Sequence, residues 1–517
     1  MVEQIRSGRV AVALFLFALL VRVAVARATS FDGLYGQDPF AYFDYSIQLR
    51  DALNAVRPPP PFFWPLGYPL PVALTMMIVG ARPMAGQLVS IIAGAFVASF
   101  VYELVRDVAA ESRTGALVAS LLTVFAAQLM ISSLSVMSDV AGLAWITFSA
   151  WMMARYLRTQ RLRWLSAAAF ALGWAVLTRW VYALMIVPWA ISALIAWRNA
   201  ALQPRKIIVA ASLAVAIGGI VVGSQFALDL GRPASSHVGD LLVVGWNPVN
   251  ALHSTIANSD GLFRYERPIG VFYALPAFHP AFVFPLLTPF LLLGLWALRR
   301  APRPQAALLV LWLLVVYIFL AGIAWENPRF SLALFPPLAA LVGIGVEFAW
   351  TARPSPRWRS AIAGWCAIAL MGSALWSARD VRTFVARKQA DLAVAKWAEA
   401  QVPPGATVLT FGLTETLRHY TSLSVVELYN EKPDFLDPII CGERRGYALV
   451  DEVNVESQWA GKSPAINLRW LRDTAGLIEM GRMDPYALFR AGEYCRPSPV
   501  TRRFPAVASP PAPLRRR

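Results

Sequence analysis

Residues 10–26 read VAVALFLFALLVRVAVA, an apolar run interrupted once, at Arg22. A helix of this length approaches what the roughly 30 Å hydrocarbon core of a bilayer requires. Similar runs recur through the 517 residues, of which 57% are hydrophobic and only 15% charged. In an average soluble domain about a quarter of the residues are charged. The sequence therefore predicts a polytopic α-helical membrane protein.

The apolar runs predict about eleven transmembrane helices. They cover residues 10–26, 86–104, 114–130, 140–154, 164–177, 182–197, 207–227, 282–298, 306–324, 330–350 and 360–377. Residues 26–28, Ala-Arg-Ala, resemble a signal-peptidase site, so the first span is either a cleaved signal or, as we favour, an uncleaved helix. The loop at 27–85 is rich in proline, which favours helices lying at the outer interface over a full crossing.

The basic residues indicate which side of the membrane each loop faces. Every predicted inner loop is rich in Arg, and the short outer turns carry few basic residues. This is the positive-inside pattern with the N-terminus in the cytoplasm. An odd number of spans then places the C-terminus outside. We expect a multi-pass protein of a bacterial inner membrane, and we assign the net charge of +16 to loop orientation and not to nucleic-acid binding.

The C-terminal region differs in kind from the rest of the chain. Residues 379–496 mix polar and apolar positions and predict a small extracytoplasmic α/β domain, with strands at 407–411, 424–428 and 447–451. In an oxidising compartment Cys441 and Cys495 could form one disulfide. The tail at 497–517, rich in proline and ending in three arginines, is predicted to be a disordered basic tail.

Three charged residues at predicted outer helix ends are candidates for chemistry. Asp38 precedes Pro39 and is either a helix N-cap or a general base that takes a proton from a hydroxyl. Asp139 lies at the outer mouth of the fourth span and could likewise be a helix cap, because an apolar run follows it. Arg329 could hold a lipid-linked phosphate through bidentate hydrogen bonds, or it could be an interfacial anchor.

Other catalytic motifs do not stand out in the sequence. We find no glycine-rich phosphate loop, zinc-protease motif or nucleophile elbow. The missing nucleotide motifs argue against ATP-driven transport. The histidines are too scattered to predict a zinc site, and the need for a divalent metal stays open.

Several short segments together resemble the GT-C superfamily of membrane glycosyltransferases, specifically its family 39, protein O-mannosyltransferase-like branch. These segments occur in the same order as in the family and are predicted to lie on the same side of the membrane. They read GQDPFAY at 36–42, WPLGYPL at 64–70, SVMSD at 135–139, LTR at 177–179, NPRF at 327–330 and LFPPL at 334–338. The segment VPPGATVL at 402–409 is similar to the outer domain of bacterial members.

The resemblance implies that residues 1–378 form a GT-C-like transmembrane catalytic domain. Its activity would be inverting transfer of a hexosyl or pentosyl unit from a polyprenyl-phosphate sugar to an acceptor hydroxyl on a protein, a lipid or a polysaccharide. Asp38 would be the base and Arg329 would bind the donor phosphate.

The resemblance also implies further site residues. Asp139 would border the acceptor or a metal, and either Asp139 or Asp44 would supply a second carboxylate, because Pro39 replaces the second acid that members carry after the first. Tyr42, Tyr68 and Arg179 would line the site. A secondary transporter and a non-enzymatic membrane protein are the alternatives. Transporters place functional charges near the bilayer midplane and contain repeats, neither of which the sequence shows.

Overall fold

The computed structural model describes residues 2–109, 113–200, 203–229, 245–353, 355–429, 431–442, 446–492 and 495. The predicted disordered tail at 497–517 lies outside these ranges. Contacts divide the chain into a first unit, Met1–Ser254 with Tyr265–Val385, and a second unit, Thr255–Arg264 with Ala386–Arg517. The predicted boundary at 378 falls inside one uninterrupted helix, Pro356–Gln401.

The first unit is helical throughout its described residues. Its helices are α1 Val2–Thr29, α2 Gln37–Asn54, α3 Pro69–Val79, α4 Pro83–Val108, α5 Thr114–Phe125, α6 Ala127–Leu134, α7 Ser138–Thr159, α8 Leu162–Thr178, α9 Ile186–Asn199, α10 Pro204–Asp229, α11 Ile269–Ala274, α12 Thr288–Ala297, α13 Arg303–Gly322, α14 Phe335–Ala352 and the start of α15 Pro356–Gln401. Short 3₁₀ turns at Trp180–Met185 and Phe330–Leu334 lead into α9 and α14. Each predicted span overlaps one of these helices.

The helices make this a multi-pass membrane protein, although the predicted number of spans is not reproduced. Seven described helices are long and apolar enough to cross a membrane, and the bent pair α5–α6 would make an eighth. The three remaining predicted spans fall on α7, which has 22 residues but is not one of those seven helices, on α12, which has only 10, and on α8, which has only 17. Helix α3, at 11 residues, reaches about 16 Å at 1.5 Å per residue, so it is too short to cross.

The third predicted span is broken, which the sequence did not indicate. Helices α5 and α6 meet at 54°. Ala126, between them, has an extended backbone with φ −61° and ψ 120°. The N–H of Gln128 at the start of α6 donates to the carbonyl oxygen of Ala281 at 3.0 Å, so the break does not leave that group unsatisfied.

The N-cap alternative considered for Asp38 and Asp139 does not hold, because each helix begins before the carboxylate. Gly36, with φ 81°, is the N-cap of α2, and Met137 is the N-cap of α7. Asp38 and Asp139 both lie inside the first turn, and neither helix has a side-chain capping hydrogen bond. Both carboxylates therefore lie beside the positive end of a helix dipole while keeping their oxygens available for other partners.

The second unit is built on a five-stranded mixed sheet. Its strands are β3 Thr407–Thr410, β4 Ser424–Glu427, β5 Tyr447–Val450, β6 Ile478–Met483 and β7 Tyr486–Arg490, in the order β4-β3-β5-β7-β6. Strands β4, β3 and β5 run parallel, and β7 is antiparallel to both β5 and β6. A small hairpin, β1 Thr255–Asn258 and β2 Gly261–Arg264, belongs to the same unit, where the N–H of Leu262 donates to the carbonyl of Gln458 at 2.8 Å.

Helices and one disulfide complete the second unit. The helices are α16 Thr414–Tyr420, α17 Pro433–Ile440, α18 Glu452–Ser457 and α19 Ser463–Ala475, with the end of α15. Residues Leu436, Ile440 and Leu468 pack with the sheet in a buried core. Cys441, directly after α17, is joined to Cys495, with Cα atoms 5.1 Å apart, and Cys366 is a free, buried thiol.

The disulfide gives a direct chemical prediction. Protein denatured without reductant should take up one equivalent of a thiol-alkylating reagent, at Cys366, and three after reduction. Intact-mass measurement checks both numbers, and Cys366 serves as the internal control for reagent access. Three alkylated thiols without reductant would contradict the bridge.

Candidate active site

The first feature of the site is an ion pair between residues at opposite ends of the first unit's sequence. Nη2 of Arg329 lies 2.5 Å from Oδ2 of Asp38. Both side chains keep about a quarter of their surface exposed, 25% for Arg329 and 27% for Asp38. Nη1 of Arg329 also lies 3.4 Å from the sulfur of Met137. The pair is therefore shielded on one side and open to a ligand on the other.

The turn before Arg329 explains its position. The backbone N–H of Arg329 donates to Oδ1 of Asn327 at 3.2 Å, and Pro328 lies between them. Phe330 then begins the 3₁₀ turn that leads into α14. This local geometry aims the guanidinium across the gap toward the first turn of α2, where Asp38 lies.

A second ion pair, between Arg179 and Asp139, lies in the same region. Asp139 is almost fully buried, and one of its oxygens contacts the Arg179 guanidinium. Its other oxygen, Oδ2, is buried without a hydrogen-bond partner among the residues that the structure describes. Burial lowers the pKa of Arg179. A buried carboxylate oxygen with spare acceptor capacity suits a ligand that brings its own donor or positive charge.

Phe330 links the two ion pairs. The guanidinium carbons of Arg179 and Arg329 each lie 5.5 Å from the centre of its ring. Both distances fall within the range of cation–π attraction. The ring therefore helps to hold two positive charges close together, while each cation is also paired with its own carboxylate.

Aromatic side chains form one wall of the site. The Tyr42 ring stacks on Trp64 with centroids 4.7 Å apart, and its hydroxyl lies 2.8 Å from the hydroxyl oxygen of Ser138. Burial raises the pKa of Tyr42 to about 12, so the phenol stays neutral at physiological pH. Tyr68 packs edge-on behind Tyr42, with its hydroxyl 2.9 Å from Ser90.

These groups enclose a cavity of about 220 Å³ within the first unit. Its polar and aromatic lining includes Tyr42, Trp64, Asp139, Arg179, Arg329 and Phe330. Phe319, Leu320 and Ile323 contribute an apolar side. A concave site with apolar walls and a few converging charges is typical of a ligand-binding or catalytic site.

A close backbone contact fixes the aromatic wall. The N–H of Gly67 donates to the carbonyl oxygen of Leu177 at 2.7 Å. A Cβ at position 67 would lie 2.6 Å from both carbonyl atoms of Leu177, so only glycine allows this approach. The contact joins the segment that carries Trp64 to the segment that carries Arg179.

The structure brings together most, but not all, of the residues selected from the sequence. Tyr42, Asp139, Arg179 and Arg329 line the cavity, and Asp38 adjoins it through its contact with Arg329. Tyr68 lies behind the wall and does not line the cavity. Asp44 is exposed and does not line it, because six residues after Asp38 the helix has turned to a different face.

Trp64 and Phe330 are site residues that sequence reasoning missed. Both belong to segments that were recognised, and Phe330 directly follows Arg329, but an aromatic residue in an apolar sequence gives no signal of its own. Among the described residues, no group of three or more His, Cys, Asp or Glu is arranged to hold a metal ion.

Comparisons with known proteins agree with this fold. A sequence model of the family described as dolichyl-phosphate-mannose-protein mannosyltransferase matches residues 64–222. No curated protein matches the sequence. Among solved structures, ArnT from Cupriavidus metallidurans bound to undecaprenyl phosphate is similar over 96% of this chain and 99% of its own, with a TM-score of 0.60 and 14% identity.

A second similar structure is the oligosaccharyltransferase from Archaeoglobus fulgidus tethered to an acceptor peptide. It matches over 86% of this chain and 69% of its own, with a TM-score of 0.57 and 12% identity. The fold is thus that of the GT-C membrane glycosyltransferases, and the resemblance drawn from the sequence is confirmed. Within that superfamily, the matched segment at 64–222 is similar to the protein O-mannosyltransferase-like branch.

The Gly67 contact generates a stability prediction. Gly67→Ala should lower the free energy of unfolding by about 1–3 kcal/mol, because the added methyl group overpacks a backbone contact. Thermal unfolding of the detergent-solubilised protein measures the change. Gly364→Ala is the matched control, since nothing lies within 4 Å of a Cβ there. Equal melting temperatures for the two variants would show that the Leu177 contact is not tight.

Proposed function

We propose that this chain is an inverting membrane glycosyltransferase that uses a polyprenyl-phosphate sugar. The observation that carries the proposal is the contact of Asp38 with Arg329 at a cavity of the GT-C fold. A carboxylate supplies the base for an acceptor hydroxyl, and a guanidinium supplies the fork-shaped cation that suits a phosphate. The transferred unit is hexosyl or pentosyl, and the acceptor hydroxyl belongs to a protein, a lipid or a polysaccharide.

The ion pair itself suggests an order of events. In the structure Arg329 is bound to Asp38. A donor phosphate brings a second anion to the same guanidinium and competes with Asp38 for it. When Arg329 turns to the phosphate, Asp38 loses its partner and becomes free to accept a proton. Donor binding would thereby activate the base.

The transfer is then a single substitution at the anomeric carbon of the sugar. The acceptor hydroxyl gives its proton to Asp38, and its oxygen forms a bond to the anomeric carbon. The bond from that carbon to the phosphate oxygen breaks on the opposite face, which inverts the configuration. The polyprenyl phosphate leaves with the bonding electrons, and Arg329 stabilises its charge. Electrostatic help of this kind lowers a barrier by a few kcal/mol.

The second ion pair completes the site. Arg179 adds positive charge beside the leaving phosphate, near the same Phe330 ring that Arg329 contacts. Asp139 borders the acceptor through its open Oδ2, and the same oxygen is the position where a divalent metal would bind if the reaction uses one. Tyr42, neutral and anchored on Ser138, would form a fixed wall for the sugar.

An apolar cleft supports the lipid nature of the donor. A cavity of about 570 Å³ lies between α8, α9 and α10. Its lining includes Val176 and Ala183, which flank the site segment from Thr178 to Tyr182 along the chain, and contains no charged residue. We place the first part of the polyprenyl chain in this cleft, which we call the α8–α10 cleft.

The ends of α7 support the membrane orientation. Asp139 lies in its first turn, and Arg155 and Arg158 lie near its last. The positive-inside rule assigns the arginine end to the cytoplasm. The site then faces outward in the inner membrane, with the N-terminus inside and the second unit outside. Functional charges at helix ends favour an enzyme over a secondary transporter, which places them near the midplane.

Asp38→Asn should lower sugar transfer by about 10²–10⁴-fold, because an amide cannot accept the proton. The measurement is release of polyprenyl phosphate when purified protein is given a panel of polyprenyl-phosphate sugars and acceptors. Asp44→Asn is the matched control, since it makes the same change at an exposed position on the same helix. Equal activity of the two variants would remove Asp38 as the base.

Arg329→Lys should lower kcat/KM for the donor by about 10²-fold or more, because an ammonium cannot form the bidentate contact. The acceptor KM should change little. Arg82→Lys, at an exposed position that begins α4, is the control. An unchanged donor dependence in Arg329→Lys would contradict the phosphate role.

A further inference from the structure

A second charged pocket lies at the far end of α7 from the active site. It has a volume of about 430 Å³ and is lined by Glu103, Trp151, Arg155, Arg158, Arg161, Arg163 and Trp164. The 22 residues of α7 extend about 33 Å at 1.5 Å per residue. The pocket therefore lies about one bilayer thickness from Asp139, and one phosphate group cannot serve both places. We call it the basic pocket.

The ion pairs of the basic pocket do not use all of its positive charge. Asp107 accepts from Nε of Arg155 at 2.7 Å and lies 3.0 Å from Nη2 of Arg158. Glu103 lies 3.5 Å from Arg155. Among the described residues, two carboxylates thus face four guanidiniums, a surplus of two positive charges. Arg161 and Arg163, both exposed, carry that surplus toward the opening.

Two indole rings hold the arginines in place. The guanidinium of Arg155 lies 4.7 Å from the centre of the Trp151 ring and 5.3 Å from that of Trp164. Arg163 lies 4.6 Å from the Trp164 ring. Trp and Arg side chains together are typical of the level at which lipid headgroups meet the membrane. The pocket is thus preorganised for an anion at the membrane surface.

An apolar groove leads away from the basic pocket along α4 and α7. It has a volume of about 470 Å³. Its walls are one face of α4, including Phe96 and Phe100, and one face of α7, including Trp145 and Phe148, and Gly67 lies at its end toward the active site. The rings of Phe100 and Phe148 lie 5.8 and 5.7 Å from Trp151, which lines the basic pocket. Two residues of the groove thus contact Trp151 of the basic pocket.

We propose that the basic pocket and the α4–α7 groove together bind an anionic glycerophospholipid. Its phosphate lies among Arg158, Arg161 and Arg163, and an acyl chain lies in the groove. A phosphodiester carries one negative charge, and its two non-bridging oxygens can accept charge-assisted hydrogen bonds from the exposed guanidiniums. Basic pockets between transmembrane helices are known to select anionic headgroups. The site is separate from the α8–α10 cleft and does not depend on the proposed glycosyl transfer.

The test measures phospholipid binding to the full-length protein in detergent by native mass spectrometry. Phosphatidylglycerol should bind at least about 10-fold more tightly than phosphatidylcholine of the same chain length. Arg161→Gln with Arg163→Gln should abolish that preference. Arg198→Gln with Arg205→Gln, which removes two exposed arginines outside the pocket, should preserve it.

Further binding measurements distinguish a phospholipid in the basic pocket from a lipid in the active site and from a free anion. Arg329→Lys should leave phosphatidylglycerol binding unchanged; loss of binding in that variant would assign the lipid to the active site and overturn the proposal. Inorganic phosphate that competes at the same concentration as the lipid would show a free-anion site, which also overturns it. Equal binding of the two phospholipids, or equal loss in both arginine double variants, would reduce the pocket to general surface charge.

Discussion

The structure of the site depends on the cost of placing charge beside hydrocarbon. A carboxylate or a guanidinium at a largely apolar cavity is destabilising unless it has a partner. The fold meets this constraint twice, with Asp38 on Arg329 and Asp139 on Arg179. The first pair joins residues 291 positions apart in sequence, so only the assembled helical unit creates it.

The hydropathy of the sequence predicted those helices and strands that form continuous apolar segments. The apolar runs located every helix that is long enough to cross a membrane, and the β-branched segments located β3, β4 and β5. The break at Ala126 was missed because its cause is tertiary: the N–H of Gln128 finds its partner at Ala281. Strand β6 was missed because most of its positions are exposed, which leaves no apolar alternation to recognise. Strand β7 was missed although its three central residues are buried.

The charged residues of the site could be predicted from the sequence, and its aromatic residues could not. Asp38, Asp139 and Arg329 stand out against apolar neighbours, and the family resemblance added Tyr42 and Arg179. Trp64 and Phe330 resemble any other membrane aromatic in sequence, and their roles come from stacking on Tyr42 and from lying beside two guanidiniums. The capping roles considered for Asp38 and Asp139 failed because the helix starts at Gly36 and Met137 were set by backbone geometry.

One helix, α7, carries groups of both charged regions, Asp139 in its first turn and Arg155 with Arg158 near its last. A continuous helix moves as a rod, so a tilt that shifts one end also shifts the other. If a ligand at either end favours one tilt, thermodynamic linkage requires each ligand to change the affinity of the other by the same factor. The bilayer leaflet opposite the active site would then act as an effector, and its composition would tune how tightly the enzyme holds its substrate.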